Sequence, residues 1–301
     1  MENKKVSAKS WVLLVLLAVI WGSSFILMKR GLFSVEGNET LLPRQLAGIR
    51  MALAGLVLLP VAIKHRKAIT KHNWKFLLVV GVFGNGIPAF LFAVAQTHIS
   101  SSLSGLLNSL VPLFTLLLGY LVFKIKTKWF NTLGVLIGLG GALGLVFSSR
   151  STEGESDFWY SMLVVAATLC YAISVNVIKS KLHEVKSLAI TSIGFSFLIV
   201  PCLFYLGTTD LVLRLDVVPG AWASVGYTAI LSVIGTGLAV IMFNGLIKET
   251  TAIFASSVTY LIPIVAIAWG MLDGELLTMG QIMFALVILS GVYLVNKKDW
   301  K

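Results

Sequence analysis

Between Trp11 and Met28 the chain carries no charge, and its only hydroxyls there are Ser23 and Ser24. That run reaches the ~18 apolar residues a helix needs to cross a bilayer. A cleaved leader is expected to be shorter, with a small-x-small site that this run lacks, and no series of similar runs would follow it. Here they do follow. The hydropathy pattern predicts ten spans, at roughly 11–28, 42–63, 76–97, 102–123, 129–147, 158–178, 187–206, 221–247, 252–271 and 278–295. The expectation is therefore an all-α polytopic membrane protein of ten transmembrane helices. Its composition agrees, with 57% hydrophobic and 12% charged residues. Cys170 and Cys202 both lie in apolar runs, so neither a disulfide framework nor a metal site is indicated.

The net charge of +11 would suggest a nucleic-acid partner if it formed a patch. Instead it alternates along the chain. Lys and Arg gather in the N-terminal tail (Lys4, Lys5, Lys9) and in the second connection (Lys64, Arg66, Lys67, Lys71, Lys75). They recur in the fourth (Lys124, Lys126, Lys128), the sixth (Lys179, Lys181, Lys186) and the C-terminus (Lys297, Lys298, Lys301). The intervening connections hold few, chiefly Lys29, Arg30, Arg150 and Arg214. Positive charge stays inside, so both termini are expected in the cytoplasm, with the bilayer as partner and no nucleic acid.

The chain also repeats itself. Shifted by 151 positions, Gly84–Lys124 falls on Gly235–Glu275 without a gap, matching Gly84/Gly235, Gly86/Gly237, Phe92/Phe243, Pro112/Pro263 and Gly119/Gly270. Glycine and proline shape backbone, so their coincidence carries more weight than matched leucines would. Trp21-Gly22-Ser23-Ser24 similarly falls near Tyr171-Ala172-Ile173-Ser174. Five spans per half is an odd number, so the second half should enter the membrane inverted. Inverted repeats point to alternating access about a midplane site.

Polar residues inside the spans are the candidates for that site. Ser101, Ser104, Asn108 and Thr115 share one helical face in span four, and Ser256, Thr259 and Pro263 share the equivalent face in span nine. Small residues there also suit close helix packing, whereas the Asn108 amide needs a partner or a wet path. Pro112 and Pro263 free the carbonyls of Asn108 and Thr259, which makes them candidate hinges. Span three offers Gly84, Asn85, Phe92 and Gln96; span eight offers Thr236; span six offers Tyr171; Trp21 and Tyr260 are aromatic candidates. Arg50 reads as a snorkelling residue, or as a cation at an outer gate or for a substrate carboxylate. No Ser/His or metal-ligand constellation suggests an enzyme or a cofactor.

The stretches Ala18–Phe25, Gly48-Ile49-Arg50, Ser109–Phe114, Tyr260–Ile264 and Asp273-Gly274-Glu275 resemble the EamA-type members of the drug/metabolite transporter superfamily. Two such repeats would cover 11–147 and 158–296. The resemblance implies a carrier of the bacterial plasma membrane that exports a small polar metabolite, amino acids or related solutes leading. Proton-driven efflux of cationic drugs is the alternative. Two positions depart from the family's pattern: Ile262 stands where Glu is frequent, and Phe123-Lys124 replaces Gly-Glu. All 13 acidic residues lie in tails, connections or span ends. A membrane-embedded carboxylate, the usual proton carrier, is therefore not expected.

Overall fold

A computed structural model describes residues 7–122, 129–153, 155–249 and 258–296. Long apolar runs that cannot leave backbone groups unpaired in lipid form helices, and the described chain consists of helices joined by short connections. The helices are α1 (Ala8–Leu32), α2 (Pro43–Lys64), α3 (Trp74–Ala95), α4 (Ser101–Asn108), α5 (Val111–Leu121) and α6 (Trp129–Glu153). There follow α7 (Glu155–Lys181), α8 (Ser187–Gly207) and a short α9 (Leu211–Val217). Next, α10 runs Ala221–Ser232 and, after a π-helical stretch, Ala239–Glu249, before α11 (Val258–Leu272) and α12 (Met279–Asn296).

Seven of these segments are long and apolar enough to span a bilayer, and 129–145, 261–272 and 279–294 are shorter apolar helices. Large apolar side chains face outward, among them Val12, Val200, Phe204 and Leu286. Such a coat suits hydrocarbon and would aggregate in water. The chain is a multi-pass membrane protein.

The duplication is visible in the backbone. Val82–Gly86 in α3 and Val233–Leu238 in α10 are both wound as π-helix, at positions 151 apart. Helix pairing follows the same symmetry. Counterparts α6 and α12 lie along one another, as do α2 and α8, while α1 on α11 is matched by α7 on α4 and α5. Glycines allow the closest crossings. A Cβ at Gly291 would strike the backbone of Gly134 and Gly138, so α12 and α6 pack main chain to main chain.

Pro112 and Pro263 are less alike than the repeat predicts. Ahead of Pro112 the chain tightens, with Ser109 N–H donating to Leu106 O and Leu110 N–H to Leu107 O, and the helix divides into α4 and α5. Pro263 sits inside α11, which continues through it. Only the first repeat carries a break at this position.

Candidate functional site

Both π-helical stretches open onto one cavity of about 370 Å³ in the middle of the bundle. A π-turn widens the helix by one residue and turns main-chain groups outward, which is why such turns gather at functional sites. The lining comes in counterpart pairs: Trp21 with Tyr171, Ser24 with Ser174, Gly84 with Gly235, and Asn85 with Thr236. Ring packing repeats the relation. Trp21 lies on Phe243 with centroids 5.1 Å apart, and Tyr171 lies against Phe92 at 6.2 Å, so each aromatic rests on the counterpart of the other's partner. The Trp21 indole N–H donates to Gly235 O at 3.0 Å, satisfying a carbonyl of the π-helical stretch.

Two further polar residues line it, Asn108 and Arg50. Asn108, at the end of α4, presents its amide to the cavity and makes no side-chain hydrogen bond to a described residue. Arg50 enters from α2 and is the only charged residue among the described residues lining the cavity. Its Nε is buried without a hydrogen-bond partner.

Of the residues expected from the sequence, Trp21, Arg50, Asn85, Asn108, Tyr171 and Thr236 meet here. Gln96 and Ser104 do not. Gln96 is buried and donates to Phe25 O at 3.2 Å, tying α3 to α1; Ser104 is fully buried outside the cavity. Both lie on the predicted polar stripes, but a stripe marks a helix contact as readily as a cavity wall. The side chains of Thr259 and Tyr260, like Ser256, lie outside the described residues. Ser174 also lines the cavity, and its pairing with Ser24 in the repeat is the sequence signal for it.

A second cluster closes the end of the bundle opposite the N-terminus. Lys29 and Arg30 finish α1, and Asp273 and Glu275 follow α11. Lys29 Nζ lies 2.7 Å from Asp273 Oδ2 and 3.0 Å from Glu275 Oε1, and Arg30 pairs with Asp273. Glu275 also accepts from Ser101 N–H at 2.9 Å, Ser102 N–H at 3.0 Å and the Ser102 hydroxyl at 2.7 Å. A carboxylate at the start of α4 uses amides that no helical carbonyl can reach and faces the positive end of the helix dipole. Burial alone would raise the Glu275 pKa; the Ser102 and Ser101 hydrogen bonds and Lys29 outweigh it and hold the group below its ordinary 4.5. Nearby, the Gln45 amide donates to Asp210 at 2.8 Å, and the Thr40 and Ser224 hydroxyls share a hydrogen bond at 2.7 Å. Every one of these contacts joins one repeat to the other.

A helical bundle with an apolar outer coat, built from two repeats, with a cavity of paired aromatic and polar residues between them and a cross-repeat clamp at one end, has the architecture of a membrane transporter. The EamA-like transporter family model matches residues 9–147 and again 158–297, and the chain belongs to that family. An uncharacterized transporter of Archaeoglobus fulgidus is 24% identical over 96% of this chain and 99% of its own. The uncharacterized inner membrane transporter YedA of Escherichia coli is 26% identical over 94% of this chain and 91% of its own. A probable amino-acid metabolite efflux pump of Salmonella typhimurium is 26% identical over 96% and 95%. A solved crystal structure superposes with a TM-score of 0.60 at 14% identity, over 95% of this chain and 96% of that one, a likeness of fold alone.

Proposed function

We propose that the chain is an alternating-access carrier of the bacterial plasma membrane, with ten spans in two inverted five-helix repeats and both termini cytoplasmic. It exports a small polar metabolite, an amino acid or related solute. The observation that carries the reading is the cavity, whose lining is contributed in counterpart pairs by both repeats. A site on the pseudo-twofold axis can be uncovered to either side by rocking one repeat against the other. The clamp of Lys29, Arg30, Asp273 and Glu275 supports it, since such contacts can close one end and release it when the repeats move. The Salmonella relative's name supports the solute class. Proton-driven efflux of cationic drugs fits less well, because among the described residues that line the cavity the one charge is positive and none is a carboxylate. Counterflow in proteoliposomes is the test: preloaded amino acids are expected to accelerate entry of the labelled solute, with saturation. Absence of saturable flux for every solute class tried would refute the carrier reading.

A further inference from the structure

Arg50 is the eighth residue of α2, about 10 Å along the helix axis from its start at 1.5 Å per residue. It does not behave as a snorkelling side chain. Its guanidinium lies against the cavity, its Nε is buried, and no described residue gives it a hydrogen bond or an ion pair. An arginine stays protonated in any protein setting, and a buried unpaired charge is costly. α8, the counterpart of α2, holds no charged residue from Ser187 to Gly207, so the charge has no twin in the second repeat. The cations that do close contacts between the repeats, Lys29 and Arg30, are already paired.

Resting on the carrier reading above, we propose that Arg50 anchors the transported solute through a carboxylate, so that the carrier selects carboxylate-bearing metabolites. The guanidinium presents parallel N–H donors matched to the two oxygens of a carboxylate. Asn85, Asn108 and Tyr171 line the same cavity with neutral donors and acceptors, which suit an amino or hydroxyl group elsewhere on the solute. A lone cation finds no countercharge there. A zwitterion does, because its carboxylate neutralises Arg50 while its ammonium takes neutral acceptors. Recognition is thus divided: the symmetric pairs shape the cavity, and the unsymmetric arginine reads the solute.

The test compares matched solutes on the unaltered protein in proteoliposomes. The panel holds amino acids, hydroxy acids and simple carboxylates, each beside its uncharged amide, with phosphate esters, nucleosides, sugars and amines as further arms. Wild type is expected to bind a carboxylate at least about 30-fold better than its amide, the usual scale for a charge-paired contact. Arg50→Gln is expected to abolish that preference, and Arg50→Lys to restore part of it, with the monodisperse yield of each variant recorded. Equal flux of acid and amide in wild type overturns the proposal, as does a preference that survives in Arg50→Gln. Flux of phosphate esters, nucleosides, sugars or amines without carboxylate flux also overturns it, yet leaves the carrier reading standing. Absence of flux from every arm removes both.

Discussion

Replacing Glu275 by Gln is a one-atom change at the clamp, and its consequence can be worked from the contacts. The carboxylate accepts three hydrogen bonds and pairs with Lys29, in a side chain that is 8% exposed. Glutamine keeps one acceptor oxygen and turns the other into an N–H₂ donor. Either orientation sets that donor against Ser101 N–H and Lys29, or against the Ser102 N–H and hydroxyl. A hydrogen bond to a charged group contributes about 1.5–3 kcal/mol, and an orphaned buried donor adds a desolvation cost. The Lys29 pairing is discounted, because Lys29 is 30% exposed and keeps Asp273 at 2.7 Å. The net weakening comes to about 2–3 kcal/mol, a shift of roughly 30- to 150-fold in the population of the closed end. The assay is labelling of Ser24→Cys, in the cavity, by a membrane-impermeant maleimide, with Cys170 and Cys202 replaced by Ala. Reaction from the clamp side is expected to accelerate at least about tenfold in Glu275→Gln. An unchanged rate, or an equal rise from both sides, would refute the clamp as a one-sided closure.

The clamp also makes a pH prediction. Glu275 has a depressed pKa, so its contribution is fully present above the ordinary 4.5 and is lost as pH falls through the lower value in the folded protein. The ratio of the labelling rate in Glu275→Gln to that with Glu275 present, which cancels the thiolate fraction, is expected to stay constant from about pH 7 to 5 and to fall toward one only below the ordinary carboxylate range; a fall centred above 4.5 contradicts the assignment. In the cavity, Asn108→Ala removes an amide that no described residue engages, so folding is expected to be little affected while flux falls about tenfold, the loss of one neutral hydrogen bond to solute. Wild-type flux at normal membrane levels would remove Asn108 from the site.

Much of this architecture was legible because a bilayer leaves so few options. Among the described residues the apolar runs are helical, although the run expected at 102–123 divides into α4 and α5, and the departures are instructive. The first span was expected to stop at Met28, before two cations, yet α1 continues to Leu32 because Lys29 and Arg30 find carboxylates more than 240 residues away in sequence. No local pattern encodes such a pairing. The π-helical stretches were invisible as such, since hydropathy does not record which carbonyl an amide selects; only the recurrence of Gly84, Gly86, Gly235 and Gly237 pointed there. Gln96 and Ser104 show the limit of the polar stripe. Both are buried in helix contacts, Gln96 against the Phe25 carbonyl, and a polar stripe does not distinguish such a contact from a cavity wall.

The charge in the cavity bears on what can drive the carrier. Among the described residues the acidic groups near the repeat interface are engaged at its end: Asp273 and Glu275 in the clamp, and Asp210 with Gln45 and Arg214. None of these lines the cavity, so none of the described carboxylates is placed there to carry a proton between the two sides. Transport through the proposed site then depends on the solute gradient and on the solute's own charge. A zwitterion crosses as a net neutral species and its uniport is indifferent to membrane potential. A monoanion moves one charge, and 100 mV, negative inside, favours its exit by about 2.3 kcal/mol, close to 50-fold. On the proposed reading, the same geometry would let monoanions leave without any coupling ion. The measurement is flux in proteoliposomes with the potential clamped by potassium and valinomycin, at equal pH on both faces. Carboxylate monoanions are expected to redistribute with the potential, and zwitterionic amino acids are not. Uphill accumulation that follows an imposed pH gradient, with the potential held at zero, would mean that a proton is carried after all, and would refute the reading of the cavity as free of a titratable carboxylate.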